Sequence, residues 1–73
     1  MILTRKMEKN DVVELIVTLN KKIKKGMRGT ILEVYDSGAA FEVEFLNENK
    51  MSILFKNQDT FMIPKSQLRM IKK

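Results

Sequence analysis

The chain reads as a small all-β barrel of about five short antiparallel strands, with one short helical turn before the last of them. Three observations carry this reading. "TILEVY" and "AAFEVEFL" alternate apolar and polar residues with period two on either side of "DSGA", which supplies turn formers where a hairpin needs them. Shorter apolar runs follow, "MSILF" after the turn-forming "NENK", then past the loop "KNQD" the run "TFMI", a further strand or the continuation of "MSILF" past a bulge, and last "RMI". Pro64 ends pairing after "TFMI", and "PKSQL" leaves room for a single tight helical turn.

In chain order, residues 1–10 mix charges with scattered apolar side chains and form a loose arm, in which Met1–Leu3 can add to a sheet edge. Residues 11–73 form one barrel domain. "DVVELIVTLNKKIKKG" carries two patterns. Val12, Leu15, Ile16, Leu19 and Ile23 fall at helical spacing, with Asp11 and Glu14 resembling a capping box and Gly26 a helix stop. Val13, Leu15, Val17 and Leu19 alternate instead, and the β-branched content favours a strand from about Val12 to Leu19, then a basic loop. In the following hairpin, Tyr35 faces Ala40, Val34 meets Phe41, Leu32 meets Val43 and Thr30 meets Phe45, which makes one apolar face. Ile31, Glu33, Tyr35, Ala40, Glu42 and Glu44 make the other, with Glu33 opposite Glu42 and Ile31 opposite Glu44.

Seventy-three residues make one domain near the size at which a chain struggles to bury its own core. Without Cys or His, neither a disulfide nor a typical zinc cluster is available, and no cofactor is expected. The core must come from Val, Ile, Leu, Met and Phe, or be completed by a partner. The missing Cys fits a reducing cytoplasm. No apolar run approaches the roughly 18 residues of a membrane helix, and "MILTRKMEKN" lacks the apolar stretch of a secretory signal. A soluble cytoplasmic protein with no membrane partner is the expectation.

The runs "DVVEL", "GMRGTILEVY", "FEVEF" and "IPKSQL" together resemble a bacterial family of small SH3-like barrels catalogued as a domain of unknown function. The matching positions are Asp11–Leu15, Gly26–Tyr35, Phe41–Phe45 and Pro64–Leu68. The resemblance implies an SH3-like barrel, often encoded beside toxin-like or nuclease-like genes, and hence an antitoxin, immunity or accessory-subunit role. It brings no catalytic residues. This chain departs from the family pattern with Lys-Lys-Ile-Lys-Lys in its first long loop, and with additional sequence around Lys50–Asp59. Gly26 and Gly29 then serve the turn from that loop into the second strand by taking positive φ. They do not form a phosphate cradle, since neither a Gly-x-Gly-x-x-Gly nor a P-loop motif is present.

Catalysis is not expected. There is no His or Cys to serve as base or nucleophile, and Ser37, Ser52 and Ser66 fall in turns or at strand edges. Glu42 and Glu44 project to one side of a strand about 6.8 Å apart, on an open face that excludes no water. A polyproline groove is equally unexpected, because Phe41 and Phe45 belong to the core and Tyr35 is the only tyrosine.

Two surfaces remain, and they follow from the net charge of +5 and its uneven distribution. Glu33, Tyr35, Glu42 and Glu44 form an acidic face with apolar and aromatic neighbours, suited to docking a basic protein surface. Its plainer reading is a solvated face neutralised by Arg69 or Lys72. Lys21, Lys22, Lys24, Lys25 and Arg28 form a basic loop, to which the arm adds Arg5, Lys6 and Lys9. Such a cluster can bind nucleic-acid phosphates in a salt-sensitive way, although no aromatic residue accompanies the lysines to stack on bases. Its plainer reading is a solvated loop. The oligomeric state is not encoded in any pattern of the chain.

Overall fold

The computed structural model describes residues 6–71. It contains five strands: β1 (Val12–Leu15), β2 (Arg28–Tyr35), β3 (Ala40–Phe45), β4 (Phe61–Pro64) and β5 (Leu68–Met70). A tight turn with left-handed backbone at Asp36, Ser37 and Gly38 joins β2 to β3, and a single 3-10 turn, Lys65–Gln67, joins β4 to β5. All pairings are antiparallel, in the order β4-β3-β2-β1-β5. The protein is all-β, as the sequence predicts, and its single sheet fits a small barrel-like fold.

Among the described residues, the core that the sheet wraps is wholly apolar. Val13 and Leu15 from β1, Ile31 from β2, Phe41, Val43 and Phe45 from β3, Phe61 and Ile63 from β4, and Leu68 from β5 are all buried. Phe45 and Phe61 meet in a tilted pair with centroids 6.2 Å apart. Ile23 also belongs to this core although it lies in no strand.

β1 is half the expected length. Its two edges are taken by β2 and β5, and at Leu15 the chain closes on itself. The Leu15 N–H donates to Met27 O (2.9 Å) and its carbonyl accepts from Gly26 N (2.8 Å). Val17 and Leu19 therefore pack on the core from a loop and not from a strand. The helical pattern is not adopted either. "MSILF" is no strand but touches its neighbours through two isolated bridges, Leu46 with Ser52 and Phe55 with Gln58. Two tight turns consume it. Asn47 Oδ1 accepts from Asn49 N and Met51 N, and Lys56 and Asn57 turn the chain with positive φ.

The hairpin register holds at one end and shifts at the other. Tyr35 faces Ala40, Val34 faces Phe41 and Glu33 faces Glu42 as expected. Beyond a β-bulge, Ile31 faces Val43, Thr30 faces Glu44 and Gly29 faces Phe45. Leu32 is the extra residue. The bulge reverses which residues of β2 point inward, so Ile31 is buried in the core, while Leu32 and Thr30, expected to point inward, are only partly buried. The expected pairs Leu32 with Val43, Thr30 with Phe45 and Ile31 with Glu44 do not form.

The glycines also divide differently. Gly26 takes the expected positive φ of 94°. Gly29 does not; a Cβ there would lie 2.7 Å from both the Glu44 carbonyl oxygen and Val43 Cγ1. It is a close-packing glycine. Pro64 closes β4 while still facing Ala40, on an edge strand where its missing N–H costs no ladder bond.

Of the stretch expected to form a loose arm, Met1–Arg5 lie outside the described residues, but the rest is tied to the sheet. Met7 packs on the core, Asn10 N donates to Ile31 O (2.8 Å), and Ile31 N donates to Asp11 O (3.0 Å). A turn closed by Asp11 N to Glu8 O (3.0 Å) and by Glu8 N to Asp11 Oδ2 (2.8 Å) shapes it.

Candidate functional site

The β2–β3 hairpin places Glu33, Tyr35, Glu42 and Glu44 on the side of the sheet opposite the core. Alternation along β3 does this for Glu42 and Glu44, whose neighbours Phe41, Val43 and Phe45 are buried. The bulge keeps Glu33 outward despite the inward turn of Ile31. Glu33 and Glu42 thus face one another, an arrangement in which like charges repel.

Nearby donors hold each carboxylate. Glu42 accepts from the Tyr35 hydroxyl at Oε1 (2.9 Å) and from Thr60 Oγ1 at Oε2 (2.5 Å). Ser52 Oγ donates to Glu44 Oε2 (2.7 Å). Lys9 Nζ reaches Glu33 Oε2 at 3.4 Å. The hydrogen bond to Glu42 is the main cause that raises the Tyr35 hydroxyl above its ordinary value of 10.0, followed by desolvation and then by the charges of Glu42 and Glu33. Tyr35 therefore remains a neutral donor across the physiological range.

Of the two cations the sequence suggests for this face, only Arg69 falls among the described residues. Arg69 pairs with Glu14 at 3.2 Å, and Lys72 lies outside the described residues. Among the described residues Lys9 supplies the cation, to Glu33, while Thr60 and Ser52 supply neutral hydrogen bonds to Glu42 and Glu44. Met62 completes the face; it sits opposite Glu42 across the β3–β4 pair and is 65% exposed. Its outward position was readable from the alternation of "TFMI". Thr60 and Ser52 come from irregular chain, where no periodicity signals a contact.

The basic cluster divides in two. Lys21, Lys22, Lys24 and Lys25 are exposed around the fully buried Ile23. Asn20 Oδ1 accepts from Lys22 N and Ile23 N (both 2.8 Å), and Lys25 N donates to Thr18 Oγ1 (3.0 Å). The loop is thus folded onto the core with its lysines splayed outward. Arg28 does not join them. It opens β2 opposite Glu14, with its Nε 3.9 Å from Glu14 Oε1. Arg5 lies outside the described residues, and Lys9 belongs with the acidic face.

Among the described residues, no group of His, Cys, Asp and Glu is arranged to hold a metal ion, and no helix is long and apolar enough to cross a membrane.

These features define a small all-β domain with outward carboxylates on its β2–β3 hairpin and exposed lysines in its β1–β2 loop. The chain belongs to the DUF4926 family, a domain of unknown function, whose pattern matches residues 9–51. This span takes in the β1–β3 segments on which the family resemblance rests, but not Pro64–Leu68. Comparison with curated proteins and with solved structures gave no significant match.

Proposed function

We propose that this protein is a non-catalytic protein-binding module, an SH3-like barrel of antitoxin, immunity or accessory-subunit type, which docks a basic surface of its partner on Glu33, Tyr35, Glu42 and Glu44. One observation carries the reading: the facing carboxylates of Glu33 and Glu42 are held in fixed orientation by hydroxyl and ammonium donors, next to an exposed Met62. A repelling pair of this kind gains when a partner's Arg or Lys arrives, and the orienting donors lower the entropy lost on binding. Met62 and the Tyr35 ring supply the apolar contact that an interface centre needs. The β1–β5 pairing that returns the last strand beside the first is the pattern of an SH3-like barrel and supports that finer architecture.

Glu42→Lys should abolish capture of a basic partner from the native host while the thermal unfolding midpoint shifts by no more than a few degrees. Retained capture by a folded Glu42→Lys protein would count against the acidic face.

A second reading rests on a different observation. Buried Ile23 pins a loop from which four lysines project, none of them paired with a carboxylate among the described residues. Such an array suits nucleic-acid phosphates. Affinity for duplex or single-stranded oligonucleotides should then fall steeply with salt and vanish when Lys21, Lys22, Lys24 and Lys25 are replaced by Ala. A flat fluorescence-anisotropy titration at about 50 mM salt would remove this reading, because phosphate contacts are strongest there.

A further inference from the structure

A cleft of about 550 Å3 opens at the end of the β2–β3 hairpin, between it, β5 and the N-terminal segment. Val34 and Phe41 present to it the side of the hairpin opposite Glu33 and Glu42. With Met7, Leu68 and Met70 they form an apolar floor. Val34 stands at an inward-facing position opposite Phe41, yet is 38% exposed. Inner apolar surface is left uncovered at this end of the sheet. The volume lies within the roughly 300–1,000 Å3 of ligand-sized sites.

Lys6, Lys65 and Arg69 line the cleft against a single acid, Glu8. Arg69 shares Glu14 but keeps a side chain that is 64% exposed. Among the described residues, no carboxylate lies within ion-pair distance of Lys6 or Lys65. The charge around this cleft is therefore opposite in sign to that of the hairpin's outer face.

The backbone beside the cleft is also open. β5 is an edge strand. Ile16 N donates to Gln67 O and Ile71 N donates to Val12 O, so alternate residues 67, 69 and 71 direct their peptide groups toward β1. Leu68 and Met70 direct theirs away. The Leu68 N–H is taken by Lys65 O, while Met70 stands opposite Val13 at a non-hydrogen-bonded position, with its peptide groups turned to the open edge. The other edge, β4, ends in Pro64, which blunts it.

We propose that the cleft binds an extended segment of a partner protein in which apolar side chains alternate with carboxylates, laid along the β5 edge. Strand addition supplies the main-chain bonds, the floor takes alternate apolar side chains, and Lys6, Lys65 and Arg69 meet the acidic ones. A basic segment is disfavoured by the sign of the rim. Nucleic acid is disfavoured because the only aromatic residue in the lining, Phe41, is buried in the core. The site is independent of the acidic face, so the protein would engage acidic and basic segments on different sides.

The probe is a capped hexapeptide of alternating Glu and Val or Leu, titrated into the full-length protein while amide resonances are followed. Saturable shifts at Val34, Leu68 and Met70 are expected, with none at Glu42 or Glu44. The counterpart peptide with Lys in place of Glu should leave the cleft residues unmoved. Lys6→Glu combined with Lys65→Glu should weaken binding roughly tenfold, and the wild-type affinity should fall with added salt whether or not that variant folds. Glu42→Lys should leave peptide binding intact, which separates failure here from failure of the acidic face. Two outcomes would overturn the proposal: no shifts at the cleft, or equal binding of both peptides.

Discussion

Gly29 and Tyr35 show how far single side chains shape this molecule. At Gly29 the constraint is space. β2 approaches β3 so closely that even a methyl group would press on the Glu44 carbonyl and Val43, both within the sheet. Gly29→Ala should therefore destabilise the protein by about 1–3 kcal/mol, the usual range for overpacking, visible as a lower urea midpoint with an unchanged slope. At Tyr35 the constraint is charge. Its hydroxyl is held above 10.0 chiefly by the hydrogen bond to Glu42, so the folded state keeps the proton more tightly than the unfolded chain does. That contribution is fully present below the unfolded value and is lost as pH rises through the folded one. The Tyr35 share of the urea midpoint should hold below its ordinary value of 10.0 and be lost as pH rises past it through the raised folded-state value. Tyr35→Phe should remove its share of that alkaline fall. An absorbance titration of the single tyrosine should give a value above 10.0 in the folded protein.

Among the elements, β2 carries most of the architecture. It pairs with β1 through its first residues and with β3 along nearly its whole length. The bulge at Leu32 allows Gly29 and Ile31 to face inward near β1, and Val34 to do so near the turn. Deleting Leu32 restores simple alternation, with Ile31 and Val34 still inward and Glu33 still outward. That variant should fold, at a loss of about 0.5–3 kcal/mol. Deleting Val34 would bring Tyr35 to an inward position and should abolish cooperative unfolding. Circular dichroism with urea titration of both variants checks the pair of outcomes. The bulge explains why a strictly alternating reading succeeded from Glu33 to Tyr35 and failed below it. "TILEVY" fits either phase, because Ile31 and Leu32 are adjacent residues of similar hydrophobicity. The β1 strand was overextended for a related reason: Val17 and Leu19 alternate and are apolar, but their use is to pack on the core from a loop.

For the molecule as a whole, the distribution of charge is the property with most bearing on function. Replacing Lys21, Lys22, Lys24 and Lys25 by Ala lowers the net charge from +5 to +1, yet touches only exposed side chains. It should leave partner capture by the acidic face intact, just as Glu42→Lys should leave oligonucleotide binding intact. The buried Ile23 joins the loop to the core and keeps its lysines on the surface. The sequence showed both charged segments at once, because each is contiguous or strictly alternating. It did not show Arg28 leaving the lysines for Glu14, nor Lys9 joining Glu33, since these pairings cross between strands and segments distant along the chain.

Alternation, turn chemistry and the absence of Cys and His were enough to establish an all-β domain without disulfides, with outward carboxylates on its main hairpin. These are local properties, set by how neighbouring side chains divide between water and core. The bulge at Leu32, the burial of Ile23 inside a lysine run, the tight approach at Gly29 and the cleft beside β5 arise when separate segments compete for the same space. Such competition is settled by packing in three dimensions, and no period along the chain records its result.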